Sequence, residues 1–303
     1  MITLNTNKGL VRIESWDEIE FRPGFVKDLN PSEHKLVSII GRYIFKEKIR
    51  CGLSNCHTPH AKGYIVATTD GHETNIGKDC GKREFGVDFD TLSKKFDRDI
   101  AQKENRERLW SFNFQLEELE KRITELRRET NGADWVNKHV SSLLNNNRGC
   151  PDEIVRRITT MVKARSNVIS KQREATKQEI EDREAIENRT LPRPYYVEEQ
   201  IAELTGLDAL YPENDLRELL VKDLEENIKA FKETDIDKMT HEQLNYWVKW
   251  VSKVELTFER AKGIVESGNR LLSMNNLSLF LQILAKQEEV KQFRNFLRGL
   301  GGS

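Results

Sequence analysis

No stretch of this 303-residue chain approaches the ~18 consecutive apolar residues that a membrane-spanning helix requires. Its first residues, MITLNTNKGLVRIESWDEIEF, also lack the basic-then-apolar order of a secretory signal. The expectation is an intracellular protein, cytoplasmic or nucleoid- or nucleus-associated, with no membrane partner. Cysteine is scarce, with four residues, and in a reducing compartment these are metal ligands or buried thiols rather than a disulfide framework. An excess of either charge is missing too: 49 Lys and Arg face 50 Asp and Glu, so a polyanionic partner is neither demanded nor excluded. The phosphate loop Gly-x4-Gly-Lys-Ser/Thr, a dinucleotide glycine fingerprint, a Gly-x-Ser-x-Gly elbow and a His-Glu-x-x-His pair are all absent. A binding protein is therefore expected before an enzyme, an unrecognised catalytic site being the second alternative.

The chain does contain charge in long tracts, 33% of all residues, of the kind that forms solvated helix faces. Thirteen Phe and five Trp supply packing groups that a disordered chain would lack. Three of the four cysteines crowd with three of the six histidines into one segment: Cys51, Cys56, His57, His60, His72 and Cys80. Thiolates plus imidazole select a borderline-soft ion, and Cys51-x4-Cys56-x3-His60-x19-Cys80 offers the donors of a closed, four-coordinate Zn2+ site. His57 competes with His60 for the fourth position, and Gly52 lets the backbone turn tightly after Cys51. Glu73, Asp70 and Asp79 lie nearby, but a closed set of four protein ligands is structural rather than catalytic.

Between the ligands, Gly63–Thr69 and His72–Gly77 are short extended runs joined by Asp70-Gly71, a hairpin signal that would return Cys80 to Cys56. Loop, hairpin and a last ligand at a helix start, over residues 48–88, resemble a treble-clef zinc finger, and the resemblance implies that the metal holds these parts together.

The remainder predicts a mostly α fold: a small zinc-stabilised α+β module with a hairpin over residues 1–90, a long helical or coiled-coil-like arm over 91–190, and a helical bundle over 191–303. Residues 9–30, with alternations at Leu10–Ile13 and Ile19–Phe21, form an irregular or strand-containing lead-in. Leu36, Ile39, Ile40 and Ile44 recur at near-helical spacing and predict a helix from Ser32 towards Cys51. Leu109, Phe112, Leu116, Leu119, Ile123 and Leu126 form a heptad seam. Pro151-Asp152-Glu153 opens another helix, apolar on one face to about residue 170 and almost wholly polar from Lys171 to Arg189. Leu191-Pro-Arg-Pro194 is a hinge. Helices are expected over 197–204 and 214–232, from a Thr240/Gln243 capping box, and from Ser273 to Leu297. The final Gly-Leu-Gly-Gly-Ser carries no functional weight.

Two basic patches bear on function. Lys82 and Arg83 follow the last ligand, at a helix start suited to a phosphate. Arg156, Arg157, Lys163 and Lys171 lie in a segment, 154–177, with a single acid, Glu174; they face a nucleic acid, or form a solvated face balanced by the acids of 179–187. Leu116 and Leu119 of the seam either meet another copy of the chain, making a homodimer, or fold within it. Together these residues point to a zinc-stabilised helical protein that binds nucleic acid or a nucleic-acid-bound complex. The alternative is a protein-binding adaptor or inhibitor that uses helical surfaces.

Overall fold

Burial of Ile2, Thr3 and Leu4, then alternate burial of Ile39, Gly41 and Tyr43, marks the strands that open the computed structural model. Residues 1–300 are described; Gly301-Gly302-Ser303, most of the tail set aside above, lie outside them. β1 (Ile2–Thr6), β2 (Gly9–Ile13), β3 (Leu36–Arg50), β4 (Pro59–Thr68) and β5 (Glu73–Ile76) form an antiparallel sheet in the order β2-β1-β3-β4-β5. Between β2 and β3 lies a single helical turn, α1 (Asp17–Glu20), so Ile19–Phe21 is not extended. The predicted hairpin is present: Tyr64 pairs with Ile76, Ala67 with Glu73, and Gly71 takes the positive φ of 85° that the turn needs.

The helix expected from Ser32 is instead β3. Val37, Ile39, Ile40, Tyr43, Ile44 and Phe45 are β-branched or aromatic and pack well on a pleated surface. Register shifts at Leu36/Ser38 and Ile39/Gly41 interrupt the period of two. Those interruptions leave apolar residues three and four apart, which imitates a helix.

From Lys78 the chain is mostly helical. α2 (Lys78–Asn113) breaks its geometry at Gly86 (φ 55°, ψ −132°), and α3 (Leu116–Arg128) and α4 (Ala133–Leu143) follow. α5 (Asp152–Ala164) starts after Pro151 as expected. The predicted polar helix over 171–189 is a different structure. β6 (Val168–Glu174) pairs antiparallel with β7 (Tyr196–Glu203), and only α6 (Lys177–Glu187) between them is helical. β7 likewise replaces the helix expected over 197–204. This ribbon is largely exposed, so neither strand shows a clean apolar alternation, and Ala175, Ile180 and Leu191 form its small core with Tyr195 and Val197.

Further on, Arg217–Glu225 winds as a π-helix into α7 (Glu226–Lys232), and α8 (His241–Leu271) begins with the expected capping box. In that box Thr240 N donates to Gln243 Oε1 at 2.9 Å, and Gln243 N to Thr240 Oγ1 at 3.3 Å. The predicted terminal helix is divided: Ser273 caps the short α9 (Met274–Leu277), a 3-10 turn follows, and α10 (Gln287–Leu300) completes the described chain. No described helix is long and apolar enough to cross a membrane.

The chain divides into two compact units. The sheet unit comprises Met1–Ser111 with Asp235–Val248, and the helical unit comprises Phe112–Thr234 with the chain from Lys249 onward. In the sheet unit Leu53, Val66, Ile76, Phe89 and Ile100 make one buried cluster, and Ile2, Leu4, Ile19, Tyr43 and Ile65 another. In the helical unit Phe112 lies edge-on to both Phe231 and Trp250, each at 5.6 Å between ring centres. Leu116 and Leu119 of the heptad seam are buried in this unit, 2% and 5% exposed.

Candidate metal centre

Three chain segments deliver one thiol each. Cys51 follows β3, Cys56 ends the short loop before β4, and Cys80 lies in the first turn of α2. Their sulfur atoms all lie within 4.8 Å of one another, with Cys56 Sγ 3.2 Å from Cys80 Sγ, and all three are free thiols. Cys51 and Cys80 are buried (1% and 6% exposed) and Cys56 is half-buried.

The loop is held by close approach of main chain to main chain. Cys51 N donates to Thr58 O at 3.2 Å and Cys56 N to Leu53 O at 3.1 Å, which closes the loop on itself. Gly52 N donates to Asn75 O at 2.8 Å, while Gly52 O accepts from Leu29 N at 2.8 Å. A Cβ on Gly52 would stand 2.1 Å from Thr74 Oγ1 and 2.9 Å from Asn75 Oδ1. The glycine is therefore required by packing against β5, not by the tight turn expected of it. Gly77 serves similarly, since its Cβ would meet the His60 ring at 2.6 Å.

The surroundings treat the three thiols differently. Burial pushes the Cys51 thiol up, opposed by backbone N–H groups of Leu53 and Gly77 directed at it. Burial also raises Cys56, but the Thr58 hydroxyl and amide and the Arg83 guanidinium outweigh it and bring the thiol down to about 6. Cys80 is pushed up to about 12, by burial and then by its neighbour Cys56. The first thiolate of the group is thus Cys56, with Arg83 as its counter-charge. Arg83 Nε also meets Glu84 Oε1 at 2.7 Å, and Asn55 Nδ2 donates to Glu84 Oε2 at 2.9 Å. The sequence singled out Arg83 for a phosphate; in the structure it lies beside Cys56 as well as Glu84.

Neither candidate imidazole belongs to this compact group of sulfurs. His60 Nδ1 lies 2.7 Å from Tyr43 Oη, which also accepts from Asn75 Nδ2 at 3.3 Å. Its Nε2 is buried without a hydrogen-bond partner, and burial lowers its pKa, which keeps the ring neutral. His57, at a positive φ of 55°, places Nδ1 3.4 Å from Asp28 Oδ1. Cys150 is fully buried elsewhere, in the helical unit, and its thiol is pushed up to about 12 by burial.

The remaining basic candidates are widely distributed. Lys82 pairs with Asp90 at 3.0 Å, and Arg156 and Arg157 both pair with Glu153, at 2.7 and 3.1 Å. Lys163 is exposed near the end of α5, whereas Lys171 is exposed on β6, so a single helical face does not carry all four. A different set surrounds the thiols. Lys46, Lys48 and Arg50 occupy alternate, exposed positions at the end of β3, Lys62 pairs across to Ile44 on that same sheet, and Lys78 opens α2. None of these five forms an ion pair among the described residues. No family model, no curated protein and no solved structure matches this chain.

Proposed function

We propose that the sheet unit is a zinc-stabilised binding module of treble-clef type that grips the backbone of a nucleic acid. A tetrahedral ion with Zn–S bonds of ~2.3 Å sets sulfurs ~3.8 Å apart, and the three thiols lie within 4.8 Å of one another, the Cys56–Cys80 pair at 3.2 Å. The donor chemistry fits as well: three cysteines, backbone N–H groups that support thiolates, and the orphaned His60 Nε2. His60 lies outside the compact group of sulfurs and would have to move towards it to take the fourth position, in the tautomer whose Nδ1–H donates to Tyr43 Oη and leaves the Nε2 lone pair for a metal. Bound zinc would supply cross-linking of loop, hairpin and helix rather than chemistry. Cys51, Cys56 and Cys80 hold the end of β3, the start of β4 and the first turn of α2 to one point.

The observation that carries the binding role is the set Lys46, Lys48, Arg50 and Lys62, exposed cations on neighbouring strands β3 and β4 with no ion pair among the described residues. Unpaired cations gathered on adjacent strands attract backbone phosphates, and their contribution is electrostatic and independent of base sequence. Anisotropy titration of zinc-loaded protein with labelled single- and double-stranded oligonucleotides tests this. Four phosphate contacts on duplex predict roughly a 100-fold loss of affinity between about 50 and 200 mM salt. Joint replacement of Lys46, Lys48, Arg50 and Lys62 by alanine should remove most of that dependence. Absence of binding at low ionic strength, or an unchanged salt slope in the variant, refutes the reading.

A further inference from the structure

At the far end of the β4–β5 hairpin a second set of metal-ligating side chains meets. His34 precedes β3, and Asp70 and His72 flank Gly71 in the hairpin turn. Asp70 Oδ2 lies 2.7 Å from His34 Nδ1 and 3.5 Å from His72 Nε2, and the two imidazoles stand edge to face with centres 5.1 Å apart. One atom from each of the three thus lies within 4.8 Å of the others.

The turn around them is held firmly. Thr68 N donates to His72 O at 2.9 Å and Gly71 N to Thr68 O at 3.1 Å, while Thr69 N donates to Lys35 O at 3.0 Å and fixes the His34 segment to the hairpin. Thr68 Oγ1 donates to Asp70 Oδ1 at 2.7 Å. That bond occupies one carboxylate oxygen and aims the other at the two rings. It is the kind of outer hydrogen bond that orients a ligating carboxylate.

We propose that His34, Asp70 and His72 form a second divalent transition-metal site, distinct in donor type from the thiol centre. Two imidazoles and one carboxylate suit zinc, cobalt or nickel, and disfavour calcium and magnesium, which ask for oxygen donors alone. Ligand bonds of ~2.1 Å at tetrahedral angles separate donor atoms by ~3.3 Å. The His72–Asp70 distance already matches, and the His34–Asp70 pair needs to open by roughly half an ångström. With side chains 21% (His34), 43% (Asp70) and 43% (His72) exposed, the site faces solvent. An ion held by three protein ligands there keeps an exchangeable position for water or a small anionic ligand, unlike a closed structural centre.

Equilibrium dialysis of untagged protein against Zn2+ measures this directly, comparing the native chain with a His34→Ala/His72→Ala variant. His72 lies beside the hairpin turn and His34 in the segment before β3, and circular dichroism checks that the variant keeps its fold. The native chain is expected to bind one more zinc than the variant, whatever the thiol centre holds. Asp70→Asn, which keeps the turn's shape, should weaken the extra site by tenfold or more. Titration with Co2+ should add an absorption for the second ion that carries no thiolate charge-transfer band and vanishes in the double variant. Equal zinc stoichiometry in native and variant chains would overturn the proposal and leave the three residues as an ion pair that pins the hairpin.

Discussion

The sheet unit brings its chemistry-bearing side chains together across long stretches of sequence, whereas the helical unit is held by packing and by pairs of opposite charge. Both metal-ligand groups among the described residues belong to the sheet unit. In the helical unit Arg127 meets Asp134 and Glu225 at 2.8 and 2.6 Å, Arg122 meets Glu255 at 2.7 Å, and Lys232 meets Glu120 at 2.7 Å. Such partly exposed pairs are worth about 0–1 kcal/mol each, so the weight there falls on Phe112, Phe231, Trp250 and their neighbours. The thiol loop is anchored in the core by the fully buried Leu53, while Gly52, Ser54, Asn55 and Thr58 around it present little apolar surface. A metal bound by the three folded thiols would add its binding free energy to folding.

The largest test of this contrast is removal of the metal. Structural zinc sites contribute about 10 kcal/mol or more, so chelation should expose the sheet unit to protease while fragments of the helical unit persist. Mass spectrometry of the digest reads the outcome, and simultaneous loss of both units would break the comparison. Phe231→Ala should act in the opposite sense. Removal of a fully buried ring that contacts Phe112 costs about 3–5 kcal/mol, seen as a lower denaturation midpoint of the helical unit with zinc content unchanged.

Gly52→Ala sharpens the argument on the sheet side. Its Cβ would overlap Thr74 Oγ1, and overpacking of that kind costs about 1–3 kcal/mol. Because the strain falls beside Cys51, zinc affinity measured by chelator competition should drop with stability. The smallest effect belongs to the α6 cap, where Thr176 Oγ1 accepts from Glu179 N at 3.3 Å and Glu179 Oε2 accepts from Thr176 N at 2.8 Å. Thr176→Ala should cost about 1 kcal/mol, and hydrogen exchange should quicken in α6 and leave the sheet unit unaffected.

What could be read from the sequence was largely what is local. The Asp70-Gly71 turn, the Thr240/Gln243 box and the start of α5 after Pro151 each depend on residues within a few positions of one another, and each is present. The gathering of Cys51, Cys56 and Cys80 was legible because a hairpin of the length between them returns the chain to its start. β3 was not, because its bulges disguise the strand period. β6 and β7 were missed because each finds its partner more than twenty residues away and neither buries a full face. Arg83 was singled out for its charge alone: nothing in its sequence neighbours shows that the Cys56 sulfur, on the far side of the β4–β5 hairpin in sequence, lies beside it. His34 escaped entirely, since only the pairing of Thr69 with Lys35 brings it to Asp70 and His72.

The central claim is that Cys51, Cys56 and Cys80 hold a metal, and Co2+ substitution of the untagged, reduced chain tests it most directly. The account predicts a thiolate-to-cobalt charge-transfer absorption that saturates at about one equivalent, disappears on addition of excess Zn2+, and is lost in Cys51→Ser, as expected where thiolates are the ligands. Cobalt binding with no thiolate absorption, or an absorption that survives Cys51→Ser at full intensity, would contradict it.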